Sequence, residues 1–150
     1  MLREKTVTIE DRGNPLTFRI REMPAVQLES WTMRAVLVLA GAGSDVPADG
    51  GVEGAAAYLA KHGLSALGRI DFDKAKPLLD EMLGCASRVV DRIEERVTPE
   101  TADAYISDFR TLLKLRKECL ALNFDFFSAG APSATPGTPR GARLKASSGE

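Results

Sequence analysis

The sequence has 150 residues, 44% of them hydrophobic and 27% charged, with a formal net charge of −1. Those values predict one soluble domain able to build a core without disulfides. They argue against a dedicated nucleic-acid binder, whose affinity comes largely from neutralising phosphates. Aromatic residues make up only 6%, so the core is expected to be mainly aliphatic.

Lys5 to Glu10 alternates, with Val7 and Ile9 opposite Thr6, Thr8 and Glu10. Leu16 to Arg21 does the same, with Leu16, Phe18 and Ile20 on one side. A period of two predicts half-buried strands, and the intervening Asp11-Arg-Gly-Asn-Pro15 is rich in turn formers. The two runs read as a β-hairpin whose apolar face needs a cover. This alternating start also lacks the apolar run of a secretory signal. The longest strongly apolar stretch, Ala35 to Ala40, is far too short to span a bilayer. The expectation is a soluble intracellular protein.

Pro24 suits the first turn of a helix, where its missing N–H costs nothing. Leu28, Trp31, Ala35 and Leu39 then recur at helical spacing. Gly41-Ala-Gly43 ends this helix, and a flexible loop is expected to about Gly54. Ala55 to Lys61 reads as a short helix ended by Gly63, followed by a second piece over Leu64 to Leu67. Asp71 or Asp73 can cap a helix running through Leu78, Leu79, Met82, Leu83 and Ala86 to Val89 or Val90. Thr98-Pro99-Glu100 is a strong helix start, and the last helix is expected to run from Pro99 to about Phe127.

That last helix carries two apolar columns at heptad spacing. One is Ile106, Leu113, Leu120 and Phe127; the other is Tyr105, Leu112, Cys119 and Phe126. Leu115 and Leu122 add an edge, and Phe109 fills the gap between columns. Ser107, Thr111, Lys114, Glu118 and Asp125 form the polar face. Ser128 to Glu150 is dominated by Ala, Ser, Gly, Thr and Pro, with Leu144 the single larger aliphatic. Such composition cannot bury enough surface to offset ordering entropy, so a disordered, mildly basic tail is expected. The predicted fold is therefore mostly α with a small N-terminal β-hairpin. A helical bundle packs on the hairpin over residues 1–127, and the tail covers 128–150.

No constellation suited to catalysis emerges. Gly41-Ala-Gly43-Ser44 lacks the Gly-Lys-Ser/Thr ending and preceding strand of a phosphate loop. His62 is the one histidine, and a triad or zinc site needs partners around it. Asp71-Phe-Asp73 reads as capping rather than a calcium loop, which needs more oxygen ligands. Arg88, Arg92 and Arg96 are expected on one solvated helix face with nearby acids. Cys85 and Cys119 lack CxxC spacing and read as buried thiols in helices. No catalytic residue, metal ligand or cofactor is therefore expected. Trp31 lies on an apolar stripe whose first use is core packing, with a partner contact as the alternative. Phe124, Phe126 and Phe127 crowd a helix end, and at least one is expected to face outward. With Leu115 and Leu122, these residues form the expected partner-binding set.

Several segments resemble a family of small tail assembly chaperones from long-tailed bacteriophages and prophages. They are Leu16-Thr-Phe-Arg-Ile-Arg-Glu-Met-Pro-Ala25, Trp31 with Arg34-Ala-Val-Leu37, and Asp73-Lys-Ala-Lys-Pro-Leu-Leu-Asp80. The fourth runs from Ile106-Ser-Asp-Phe-Arg-Thr-Leu-Leu-Lys-Leu-Arg116 through Leu122-Asn-Phe-Asp-Phe-Phe127. The resemblance covers most of Leu16 to Phe127 and contains no chemical signature. It implies a non-enzymatic role in the host cytoplasm, outside the mature virion. Such chaperones keep the tape measure protein soluble while tail tube subunits assemble around it. The implied partners are the tape measure protein and then the tail tube protein. The charge balance argues against nucleic acid and the short apolar runs against a membrane, and pairing with a second copy of the chain stays an open alternative. The alternative is a minor structural protein of the phage tail or connector.

Overall fold

A computed structural model describes residues 1–41, 51–68 and 70–129. Strand β1 (Glu4–Asp11) and strand β2 (Asn14–Arg21) pair antiparallel with Asp11 opposite Asn14. The two-residue turn, Arg12-Gly13, has positive φ at both positions (52° and 84°). That geometry matches the natural strand twist and explains the glycine. The expected hairpin is present, each strand slightly longer than the alternation suggested.

Helix α1 (Ala25–Gly41) follows directly, and its end coincides with the expected glycine stop. Helix α2 (Gly51–His62) begins before the expected Ala55, so Gly51 to Gly54 are helical rather than loop. The rest of that loop, residues 42–50, lies outside the described residues. The short α3 (Leu64–Leu67) occupies its predicted span.

Helix α4 (Phe72–Leu83) ends earlier than the periodicity implied, at Gly84. The segment beyond it forms two further strands, β3 (Ala86–Val90) and β4 (Ile93–Arg96). The protein is therefore α+β with a four-stranded antiparallel sheet in the order β1-β2-β3-β4, not helices on a lone hairpin. Asp91 and Arg92 turn the second hairpin with φ of 51° and 73°. Neither residue is a glycine, so the turn carries no compositional signal. The β-branched pair Val89-Val90 favours the strand. Arg88, Arg92 and Arg96 consequently fall on a strand, a turn and a strand, and share no helix face.

Thr98 caps α5 (Pro99–Ala102) as expected: its hydroxyl accepts from the Thr101 amide, and the Thr101 hydroxyl accepts from the Thr98 amide. The helix then breaks. The long helix α6 starts only at Phe109 and runs to Ala129, so the single helix from Pro99 is two. The cause is a buried carboxylate. Asp11, at the end of β1, accepts the amides of Ser107 (2.8 Å) and Asp108 (2.9 Å) and the hydroxyl of Thr111 (2.8 Å). Those bonds satisfy donors ahead of α6 and hold Thr111 inside, although its helical spacing predicts the polar face. Asp108 then accepts from the Arg110 amide at 2.9 Å. Residues 130–150, most of the expected tail, lie outside the described residues.

One core joins the layers. It contains Leu16, Phe18 and Ile20 of β2, Trp31, Ala35 and Leu39 of α1, Leu59 of α2, and Leu78, Met82 and Leu83 of α4. Leu115, Cys119, Leu120 and Phe124 complete it from α6. Helix α6 packs on β1 and β2 from below, with α2 and α4 against its flanks. Asn123, fully buried, ties these layers together. Its Oδ1 accepts the Met23 amide at 2.8 Å, and its Nδ2 donates to the Cys119 carbonyl at 2.8 Å.

Candidate partner-binding surfaces

The residues expected to meet a partner are largely inside. Trp31 and Leu115 are fully buried, and Phe124 and Leu122 nearly so. The Trp31 indole N–H donates to the Leu78 carbonyl at 3.0 Å, and its ring lies 5.7 Å from that of Phe124. These four side chains join helices and are out of a partner's reach while the fold is closed. Trp31 of α1 meets both Leu78 of α4 and Phe124 of α6, and α2, α4 and the β1–β2 hairpin pack along α6. The side chains of Phe126 and Phe127 lie outside the described residues.

Other apolar side chains face solvent. On α1, Val26, Met33 and Leu37 are exposed, at 79%, 48% and 72%. At ~100° per residue they fall within about 40° of one line, opposite the buried Trp31, Ala35 and Leu39. The helix thus has two apolar faces, and only one is covered by described residues. The outer column spans eleven positions, roughly 16 Å of helix. On α6, Phe109 (70%) and Leu113 are exposed. They continue the line that holds Leu120 and Phe124 further along. There, Leu59 and Ala60 of α2 lie across a narrow cleft from Leu120 and Phe124, whereas the first turns of α6 project beyond that cover. Val90 and Ile93, flanking the second hairpin turn, are also exposed.

The sequence could have revealed the second column of α1. Val26, Met33 and Leu37 have the spacing i, i+7, i+11, a sparser pattern than the Leu28-Trp31-Ala35-Leu39 stripe of the same helix.

The polar side chains are arranged as structural elements. On the solvent face of the sheet, Arg19 and Arg21 both reach Glu94, at 2.9 and 3.2 Å, and Arg21 also reaches Glu4 at 2.9 Å. Arg88 stacks on the Tyr105 ring, 4.1 Å from its centroid. The amide of Ser107 above all, then the Thr111 hydroxyl and the Asp108 amide, hold the Asp11 carboxyl below the usual carboxylate range, against the upward push of burial. Hydrogen bonds from Arg110 bring Asp108 down to about 2. His62 ends α2, its ring 4.3 Å from that of Tyr58. Asp71 stands at the start of α4 but caps through its backbone carbonyl, which accepts from the Lys74 and Ala75 amides.

The thiols differ. Cys119 is buried in α6, whereas Cys85 lies in the turn after α4, half-buried rather than helical. Burial pushes both upward, away from the nucleophilic thiolate. Among the described residues, no three His, Cys, Asp or Glu side chains gather as a metal site. No helix among them is long and apolar enough to cross a membrane.

No family model matches the chain, and neither a curated protein nor a solved structure matches it.

Proposed function

We propose that this protein is a non-enzymatic tail assembly chaperone of a long-tailed phage or prophage. It binds the tape measure protein in the host cytoplasm, keeps it soluble and helps recruit tail tube subunits. The observation that carries the reading is the outer column of α1: Val26, Met33 and Leu37 form an apolar line on the solvent side of a well-packed helix. Soluble domains commonly scatter single exposed apolar residues; an aligned set on one rigid element is what partner surfaces use. Client helices can lay their own apolar face along such a column. The family-like segments described above supply the identity of the client.

Co-expression with a fragment of the tape measure protein from the same genome tests the reading. The wild-type protein should keep the fragment in the soluble fraction. The triple variant Val26→Gln, Met33→Gln, Leu37→Gln should fold normally and lose that protection. Equal client solubility with wild type, with the variant and with neither protein would sink the proposal. Finding the protein stoichiometrically in purified particles would instead favour a minor structural component of the tail or connector.

A further inference from the structure

The two edges of the sheet are unlike. Strand β4 has four residues, three of them Glu94, Glu95 and Arg96. Short, charged edges resist pairing with other chains. Strand β1 is the opposite edge, has eight residues and carries threonines at its centre. The hairpin register fixes which of its backbone groups are free. Asp11 and Asn14 close the two-residue turn, so Asp11, Ile9, Val7 and Lys5 bond to β2. Glu10 stands opposite Pro15, which has no N–H to give. The N–H and C=O groups of Thr6, Thr8 and Glu10 therefore point away from the sheet, and no described residue pairs with them.

Helix α6 runs beneath this edge. Arg3 donates to the Leu122 carbonyl at 2.6 Å, and Lys5 pairs with Glu118 at 2.7 Å. At the other end Asp11 holds Thr111. Between these ties lies an open groove of about 540 Å³. Its walls are Thr8, Ile9 and Glu10 on the strand and Lys114, Lys117, Glu118 and Ala121 on the helix. Glu118 is neutralised by Lys5. Lys114 and Lys117 have no ion pair or hydrogen bond among the described residues. Glu10 stands with Thr6 and Thr8 on the opposite face of the sheet, by strand alternation.

We propose that this groove takes an extended, acidic segment of another protein, added to β1 as a fifth strand. Backbone pairing with Thr6, Thr8 and Glu10 supplies the binding, as in other cases of strand addition. Lys114 and Lys117 supply the preference. They are separated by ~4.5 Å of helix rise, and alternate side chains of a strand by ~6.8 Å. Two acidic residues at positions i and i+2 of the incoming strand fall within reach of the two lysine stems. The chain's own segment after α6 is a poor match. Its charged residues are Arg140, Arg143 and Lys145 against Glu150, so its balance has the sign of the groove. The inference stands independently of the tail assembly reading.

The test uses the full chain and a capped, fluorescein-labelled peptide, Thr-Val-Thr-Glu-Thr-Glu-Thr-Val, with binding read by fluorescence anisotropy. Saturable binding is expected, at least tenfold weaker when both glutamates become lysines. N-methylation of one alternate set of backbone amides should abolish binding, and of the other set should leave it intact. Thr8→Pro removes an outward N–H without touching the β1–β2 ladder and should weaken binding tenfold or more. The double variant Lys114→Glu, Lys117→Glu should reverse the preference between the acidic and basic peptides. No saturable binding, or equal binding of both N-methylated peptides, would overturn the proposal. So would a concentration-dependent dimer that Thr8→Pro dissociates, since a second copy would then own the edge.

Discussion

Replacing Phe124 by alanine separates a core role from a contact role. The ring is almost fully buried and faces Trp31 at 5.7 Å. Truncating a buried phenylalanine costs about 3–5 kcal/mol, combining lost transfer energy with the cavity left behind. Loss of the aromatic pairing is part of that figure, at about 0.5–1.5 kcal/mol. Set against a typical total stability of about 5–15 kcal/mol, the change removes a large share of the whole. With a urea dependence of about 1.5 kcal/mol per M for a domain of this size, the midpoint should fall by roughly 2–3 M. Trp31 is the one tryptophan in the sequence, so its fluorescence reports directly on this cluster. Emission should be that of a buried indole in the wild type and shift to longer wavelength through a single cooperative transition. A Phe124→Ala protein with an unchanged midpoint and lost client binding would refute the burial argument and restore this ring as a contact residue.

Three further outcomes follow from the polar connections and turns. Asp11 has a lowered native value relative to 3.8, so its contribution is fully present above about pH 4 and is lost as pH falls through the native value. Asp108, held at about 2, extends the same loss further into acid. Asp11→Asn should lower the urea midpoint at pH 7 and flatten its decline below about pH 4; parallel wild-type and variant curves would contradict this. Asn123→Ala strands the buried Met23 amide and should cost about 1–3 kcal/mol in chemical denaturation, without a change in α6 helicity by circular dichroism. Asp91→Asn with Arg92→Gly places turn-forming residues where φ is already positive and should stabilise by about 1 kcal/mol, read as a higher thermal midpoint.

The elements legible in the sequence were those where local chemistry and tertiary packing agree. The β1–β2 hairpin, the start and stop of α1, the span of α3 and the cap at Thr98 each have a local cause, such as a turn glycine or a capping hydroxyl. The second hairpin did not announce itself, because its turn uses Asp91 and Arg92 in a conformation normally marked by Asn-Gly. Arginines at 88, 92 and 96 then imitate the four-residue spacing of a helix face. The break before α6 was hidden for a different reason. Asp108 caps α6 locally, but the turn ahead of it is held by Asp11, roughly a hundred positions away in sequence, and no window along the last helix contains that carboxylate. Of the candidate site, the apolar residue types were visible but their faces were not. Helical spacing shows which residues share a line, and only the tertiary cover decides which line is left open.

This rearrangement changes what a client could meet. With Trp31, Phe18 and Phe124 inside the core, the surface of α1 is aliphatic and thioether, through Val26, Met33 and Leu37. Such side chains offer contact area with little directional demand, and methionine adapts readily to differing shapes. The β1 edge works in another way: it addresses backbone amides, which every residue except proline carries, and Lys114 and Lys117 add the preference for acidic side chains. Under the proposed chaperone reading, a client of varied sequence is met better by such surfaces than by a shaped aromatic pocket. They also make separable demands on a partner: the α1 column requires apolar side chains and the β1 edge requires an extended backbone. A client segment retained by the α1 triple variant but lost by Thr8→Pro is therefore bound as a strand. The converse pattern assigns it to the helix face.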